Sequence, residues 1–140
     1  MAFPDVQVNY LGVLVSALAS FVLGWIWYGP LFGKIWMKES VITKEQIEKA
    51  KKKGMTGQFI TSFISSVVMA FILAHFVQYG EIANYVEAIQ LAFYLWIGFI
   101  ATVMIGSVLW ENKSIKVYLI NSVYYLVSLS IMTIILMMWQ

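Results

Sequence analysis

The sequence contains no cysteine and only one histidine, His75. Without cysteine the chain cannot form disulfides, thiolate metal sites, iron–sulfur clusters or a cysteine nucleophile. A single histidine excludes multi-histidine zinc sites and bis-histidine haem ligation within one chain. We therefore predict no metal site and no cofactor.

Charged residues are also scarce, at 11% of the chain, whereas 61% of the residues are hydrophobic. A soluble domain would carry about 25% charged residues, so this composition is typical of a membrane protein with a single domain. The net charge of +2 gives no reason to expect nucleic acid as a partner. The first residues lack a positively charged segment, so the first apolar run is interpreted as a permanent helix rather than a cleaved signal peptide.

Four long apolar segments predict four transmembrane helices, at about residues 10–28, 57–79, 87–109 and 115–139. Each is long enough to cross a hydrocarbon core of about 30 Å. The Gly29–Pro30 pair is expected to end the first span, because proline cannot donate to the helix and disfavours helical geometry in the residue before it. The predicted fold is all-α: an integral membrane four-helix bundle that occupies residues 1–140 as one transmembrane domain.

All nine cationic side chains are lysines, and all fall on one side of this topology. Seven lie between spans 1 and 2, and two between spans 3 and 4: Lys34, Lys38, Lys44, Lys49, Lys51, Lys52, Lys53, Lys113 and Lys116. The positive-inside rule places both lysine loops, including the loop at about residues 30–56, in the cytoplasm. We predict an N-out/C-out protein of the cell (inner) membrane.

A short amphipathic cytoplasmic helix is predicted inside the long lysine loop. Thr43 and Gln46 have the spacing of a capping box, and Gly54 follows the last lysine as a stop signal. The lysines at the end of this helix, Lys49, Lys51, Lys52 and Lys53, either bind anionic lipid or a protein partner or serve only to set topology.

Small residues recur every fourth position in three of the spans, a spacing that lets membrane helices approach closely. They are Gly12, Ser16, Ser20 and Gly24 in span 1, Ser62, Ser66, Ala70 and Ala74 in span 2, and Gly98, Thr102 and Gly106 in span 3. We interpret them as seams along which spans 1, 2 and 3 pack together.

Span 4 carries instead a mildly polar stripe at helical spacing. Its members are Tyr118, Asn121, Tyr125, Ser128 and Met132. Such a stripe indicates either hydrogen bonding between helices or the wall of a hydrated pathway.

Ionisable residues near the membrane are candidate functional residues because they are expensive there. Near the outer ends of the spans, His75 could contact Glu87, with Gln90 nearby, or it could simply bond to the outer loop. On the inner side, Glu111 either pairs with a lysine (Lys34, Lys113 or Lys116) or forms an inner gate or cation site, with Asn121 nearby as part of a polar entry. No arrangement of a nucleophile, a base and an orienting group can be assembled, so we predict that the protein is not an enzyme.

Several motifs resemble a known family. They are 9–11 (NYL), 24–36 (GWIWYGPLFGKIW), 74–76 (AHF), 96–99 (WIGF), 108–111 (VLWE) and 119–124 (LINSVY). In this order they are similar to a bacterial membrane family catalogued as domain of unknown function 1761. Gly29 departs from the pattern, in which serine is expected before the proline. The resemblance implies a four-helix membrane protein without an assigned activity, and it draws attention to His75, Glu111 and Asn121.

Two functions remain open on this evidence. One is an oligomeric transport or channel-like protein for an ion or small solute, with a homo-oligomer expected because four short helices enclose little volume. The alternative is a non-catalytic membrane assembly factor, or an accessory or lipid-binding subunit.

Overall fold

The computed structural model describes residues 4–140, and these are helical, with no strand among them. Helical runs long and apolar enough to cross a membrane are Tyr10–Leu31, Thr56–Tyr79, Tyr85–Trp110 and Ile115–Met138, here spans 1 to 4. Two shorter helices, Gly33–Glu39 and Lys44–Lys53, lie between spans 1 and 2. The prediction of an all-α chain with four helices long and apolar enough to span a membrane is confirmed.

Span 1 does not end at Gly29–Pro30, contrary to the prediction. Its α-helix, Tyr10–Ile26, continues into a π-helical turn, Trp27–Leu31, that contains Pro30. The N–H of Phe32 donates to the carbonyl of Trp27 at 2.9 Å, five residues back. Widening the turn accommodates a residue that has no N–H to give and whose ring would collide with the preceding turn.

Span 3 is interrupted in a similar way. Its α-helical segment Tyr85–Trp96 is followed by a second π-helical turn, Ile97–Ala101. Two short helical segments, Thr102–Met104 and Gly106–Trp110, complete the span. The second π-helical turn therefore lies in the interior of its span, whereas the first forms the last turn of span 1.

The predicted capping box forms at the helix Lys44–Lys53, which we call the lysine helix. The Thr43 side chain accepts from the backbone N–H of Gln46, and the Gln46 side chain accepts from the N–H of Thr43. Gly54 follows at φ +83°, a conformation in which glycine is favoured because it has no Cβ. Local sequence alone is enough to start and end this helix.

Span 4 is the shared neighbour of the other three spans. Spans 1 and 3 each pack extensively against it, span 2 packs against it less, and span 1 also packs against span 2. The apolar core lies toward the end of the bundle where span 1 begins and span 4 ends. Its larger members are Val13, Leu73, Val77, Leu129, Met132 and Leu136.

Contacts between distant segments also close this terminal end. The Asn9 amide donates to the carbonyl of Trp139 at 2.8 Å while the Asn9 side-chain oxygen caps span 1. Gln78 and Gln140 donate to the backbone at Gln7 and Ile82. The opposite end, which carries the lysine loops, lacks this core, and spans 1 and 2 leave a cavity between them there.

Candidate functional site

The small residues of span 1 lie against span 4, a span that the predicted seams did not include. Ser16 donates to the carbonyl of Met132 at 3.5 Å, and the hydroxyls of Ser20 and Ser128 are 2.7 Å apart. A Cβ placed on Gly12 would lie 2.8 Å from the Cβ of Trp139. Span 4 is the better partner because it supplies hydroxyl and backbone groups that pair with the serines.

In span 2 the seam divides into two halves. Ala70 and Ala74 are buried in the core, whereas Ser62 is exposed. Ser66 is half-buried and donates to the carbonyl of Ser62 within its own helix, at 3.1 Å. The alanine half packs as predicted for a close helix contact, and the serine half faces the cavity described below.

The predicted seam of span 3 does not pack against another span. Gly98 and Thr102 are exposed, and a Cβ on Gly98 would meet no atom within 4 Å. At Gly106 the nearest atom to such a Cβ is in Trp110, 3.9 Å away in the same span. Span 3 turns a different set of small residues toward span 4, and these are buried: Ala88, Ala92 and Ala101.

The polar stripe of span 4 divides between two neighbours and a cavity. Tyr118 donates to the carbonyl of Ala101 in span 3 at 2.8 Å. Asn121 accepts from the Tyr28 hydroxyl of span 1 at 2.7 Å. Tyr125 makes no hydrogen bond to the described residues 4–140, and it lines the cavity. The stripe thus joins helices at some positions and forms a cavity wall at another.

Two indoles that bond to span 4 were not predicted as site residues. Trp27 donates to the carbonyl of Ile120 at 3.0 Å, and Trp96 donates to the carbonyl of Ser122 at 2.6 Å. Trp27 begins the first π-helical turn and Trp96 directly precedes the second. Their positions within predicted membrane spans could have indicated this role, since a buried indole N–H usually donates to a hydrogen-bond acceptor.

The structure does not bring His75 to Glu87. The His75 ring nitrogen Nδ1 lies 2.8 Å from the carbonyl of Phe71 in its own helix, and its ring packs edge-on against the Phe71 ring. Glu87 accepts from the N–H of Ala83 at 2.8 Å, and so fixes the loop before span 3. Gln90 is exposed. Each of the two ionisable side chains bonds to nearby backbone.

Glu39, rather than Glu111, forms the ion pair at the lysine-loop end. In residues 4–140 the single ion pair joins Lys116 Nζ to Glu39 Oε1 at 3.7 Å, and Glu39 Oε2 also accepts from Ser114 at 3.1 Å. These contacts fix the helix Gly33–Glu39 to the start of span 4. Glu111 is exposed. Sequence spacing favoured Glu111 because Glu111 is close to Lys113 and Lys116 along the chain. Glu39 is distant from Lys116 in sequence, and only the fold brings the two side chains together.

A cavity lies between spans 1, 2 and 4 at the lysine-loop end, with a volume of about 900 Å³. We call it the lysine-side cavity. Its lining residues are Ser20, Phe21, Gly24, Trp25, Tyr28, Gly57, Gln58, Phe59, Thr61, Ser62, Ser65, Ser66, Met69, Tyr124 and Tyr125. None of these side chains is charged, and the set combines aromatic rings with hydroxyl groups.

Aromatic contacts hold spans 1 and 2 together beside this cavity. The ring of Phe21 packs edge-to-face against Phe63 and Phe59, with centroids 6.0 and 6.4 Å apart. Across the cavity the rings of Tyr28 and Tyr125 each pack against Tyr124, at 5.5 and 5.1 Å. These are favourable aromatic distances, so both aromatic walls are well packed.

The hydrogen-bonding groups of the cavity form two classes. On span 4's side, Tyr124 donates to the carbonyl of Ser20 at 2.9 Å, so that hydroxyl is already bonded. On span 2, the exposed side chains of Gln58, Ser62 and Ser65 make no hydrogen bond to any described residue. Unpartnered polar groups at membrane depth are unfavourable, and these remain available to a bound molecule.

A smaller depression of about 480 Å³ lies between spans 3 and 4. Glu111, Lys113 and Asn121 all line it, so the structure does bring the predicted Glu111 and Asn121 to one place. Asn121 also accepts from Tyr28, which lines the lysine-side cavity. Asn121 therefore lies between the two cavities.

The residues that the structure describes contain no group of three or more histidine, cysteine, aspartate or glutamate side chains able to hold a metal ion. The chemistry available in the cavity is therefore hydrogen bonding and ring contact. No carboxylate, histidine or lysine side chain among residues 4–140 lines it.

These features define a multi-pass helical membrane protein with a polar, uncharged cavity at one end of the bundle. A family model described as "Protein of unknown function (DUF1761)" matches residues 11–137. The chain belongs to this family, which confirms the resemblance seen in the sequence. No curated protein and no solved structure matches the chain.

Proposed function

We propose that this protein is a non-enzymatic, transport-type membrane protein and that the lysine-side cavity is its solute site. The observation that supports the proposal is the cavity itself, about 900 Å³ in volume, with free hydrogen-bonding groups on span 2. Ligand pockets have volumes of about 300–1,000 Å³ and combine mostly apolar walls with a few polar groups. A solute in this cavity would complete the hydrogen bonds of Gln58, Ser62 and Ser65.

We further propose that the lysine loops lie in the cytoplasm of the cell membrane, with both termini outside. The segregation of all nine lysines supports this orientation. The cavity then opens toward the cytoplasm, while the contacts of Asn9 and Gln78 close the opposite end. This is the arrangement of a carrier in which one side is open and the other closed.

A homo-oligomer is part of the proposal. Spans 2 and 3 bury little of their surface in a single chain. In the most apolar 18-residue stretch of each, 22% and 11% of the residues are buried. The exposed Ser62 and Ser65 belong to the open side of the cavity. A second copy packed against span 3, the least buried of the four, would cover its apolar surface and leave the side of the cavity beside span 2 open.

The test is solute retention by the protein in lipid nanodiscs, followed by uptake of the retained solute into proteoliposomes. We expect the wild type to retain a solute and the double variant Ser62→Val, Ser65→Val to lose it, because each replacement removes a free hydroxyl and leaves only apolar groups in its place. Thr102→Val is the matched control, since Thr102 is an exposed hydroxyl of span 3 that bonds within its own helix. Retention of no solute by the wild type would contradict the proposal.

A second candidate is an accessory protein that docks through the lysine helix. That helix buries no residue in the structure, and its last turn carries Lys51, Lys52 and Lys53. Each lysine near an anionic surface contributes about 1 kcal/mol of attraction. These three side chains are therefore available to anionic lipid or to an acidic protein partner.

This candidate is tested by replacing the three lysines with glutamate and measuring co-purified anionic lipid and protein. Loss of either would favour the accessory role. The control is the same replacement at Lys34, Lys38 and Lys44, which are equally exposed and lie in the same loop. Equal recovery from both variants and the wild type would remove the support for this candidate.

A further inference from the structure

The open side of the lysine-side cavity lies at membrane depth. Ser62 and Ser65 follow the first residue of span 2, Thr56, by about 9 and 14 Å at the rise of an α-helix. Both are exposed, and the hydrocarbon core of a bilayer is about 30 Å thick. A molecule can therefore reach these side chains from the lipid, so the occupant that this geometry suits is lipid-soluble.

The charge pattern favours an uncharged occupant. The cavity has no carboxylate to balance a cation and no cationic side chain to balance an anion. Lysines of the adjacent loop would also repel a cation near the opening, since Lys51, Lys52 and Lys53 immediately precede span 2. A buried charge without a partner is strongly unfavourable, which leaves neutral molecules.

The walls favour a flat ring. Trp25 packs beside Phe21 with ring centroids 5.4 Å apart, and Tyr124 and Tyr125 form the opposite wall. Stacked and edge-to-face ring contacts stabilise an aromatic or conjugated ring beyond the effect of its buried area. Between these walls the free side chains of Ser62, Ser65, Gln58 and Tyr125 can all donate hydrogen bonds.

Hydrogen-bond donors around a flat, uncharged site are complementary to a neutral ring that carries carbonyl oxygens, because those oxygens accept hydrogen bonds. We propose that the lysine-side cavity binds a quinone-type lipid, with the carbonyl-bearing ring between Trp25 and Tyr125 and the hydrocarbon tail leaving into the bilayer beside span 2. This inference rests on the proposed function, because it names the class of molecule that the same cavity takes. It assigns binding only, so no electron transfer is required of the chain.

The test uses decylubiquinone as the probe and tryptophan fluorescence of the protein in nanodiscs as the readout. Quinones quench indole fluorescence on contact, and Trp25 lines the cavity. We expect saturable quenching in the wild type and a clear loss of that saturable component in Trp25→Phe. Trp110→Phe is the control, because Trp110 is 85% exposed at the lysine-loop end of span 3 and lies outside this cavity.

A second variant tests the hydrogen bonds. The double variant Ser62→Val, Ser65→Val should bind the probe roughly tenfold more weakly, as expected for two lost neutral hydrogen bonds, while Thr102→Val binds as the wild type does. Circular dichroism and elution as a single species show that each variant is folded. An unfolded double variant is replaced by the two single variants.

The outcomes separate this inference from the proposed function. Quenching that rises linearly with probe, equally in Trp25→Phe and Trp110→Phe, shows partition into the bilayer only and overturns the quinone assignment. If the nanodiscs then retain a different solute that depends on Ser62 and Ser65, the proposed function stands without the quinone. Retention of no solute together with linear quenching overturns both.

Discussion

The hydroxyl of Tyr28 donates to the side-chain oxygen of Asn121 at 2.7 Å, which joins the end of span 1 to span 4 between the two cavities. Tyr28 lines the lysine-side cavity and Asn121 lines the smaller depression. The bond is therefore part of the wall that separates the cavities, and it holds span 1 where its π-helical turn begins.

Replacing Tyr28 with phenylalanine should lower the free energy of unfolding by about 0.6–1.5 kcal/mol, because one hydrogen bond between membrane helices is lost. Unfolding of the detergent-solubilised protein by dodecyl sulfate measures the change. Tyr94→Phe is the control, since Tyr94 is exposed on span 3 and its hydroxyl has no hydrogen-bond partner in the described residues. Equal stability of both variants would show that the Tyr28–Asn121 bond contributes nothing.

Gly12→Ala should destabilise the protein by about 1–3 kcal/mol, the usual cost of inserting a methyl group into a well-packed contact. The added Cβ would lie 2.8 Å from the Cβ of Trp139, so span 1 or the chain end must shift. Gly98→Ala is the matched comparison, because its Cβ would meet no atom within 4 Å and alanine favours the helix. Melting in detergent should separate the two variants, and identical melting would be evidence against the close contact.

The ion pair between Glu39 and Lys116 should contribute less than about 1 kcal/mol, since Lys116 is largely exposed. A double-mutant cycle with Glu39→Gln and Lys116→Met measures the coupling. The same cycle with Glu111→Gln should give no coupling, because Lys116 pairs with Glu39 in the structure. Coupling of Lys116 to Glu111 instead would support the pairing that sequence spacing favoured.

Trp27→Phe and Trp96→Phe should each destabilise the bundle by more than Trp110→Phe. The first two indoles donate to carbonyls of span 4, and the third is 85% exposed. A net loss of about 1 kcal/mol per hydrogen bond is expected, with an added packing loss at the buried Trp27. The same unfolding titration provides the measurement, and three equal losses would argue against a special role for the two hydrogen-bonded indoles.

The proposed orientation can be tested directly because the chain contains no cysteine. Single cysteines at Lys52 and at Glu81 lie in exposed segments at opposite ends of the bundle. A membrane-impermeant thiol reagent added to intact cells should label Glu81→Cys and leave Lys52→Cys unlabelled until the membrane is opened. The reverse pattern would invert the proposed topology.

The features set by local sequence were predictable. Hydropathy located the four spans, and Thr43 with Gln46 located the start of the lysine helix, because both signals act within a few residues of the chain. The end of span 1 was predicted wrongly. A proline can end a helix, but it can also be accommodated within a π-helical turn, as Pro30 is here. The choice between these depends on what the following residues contact.

The pairing of faces was not predictable from spacing alone. Gly98 and Thr102 have the same four-residue spacing as Ser16 and Ser20, yet only the serines meet another span. The difference comes from span 4, which offers Ser128 and backbone carbonyls to the serines. A candidate site formed by such pairings becomes visible only when the helices are placed together.

The central position of span 4 has a consequence for how the chain is made. Of the four spans, span 4 is the last to leave the ribosome, yet it accepts the hydrogen bonds of Trp27 and Trp96 and contacts Ser16 and Ser20. A nascent chain that ends before Ile115 has all of these donors in the membrane without their acceptors. These side chains of spans 1 and 3 therefore stay without their hydrogen-bond partners until span 4 is inserted, and span 4 completes the packing of the four spans.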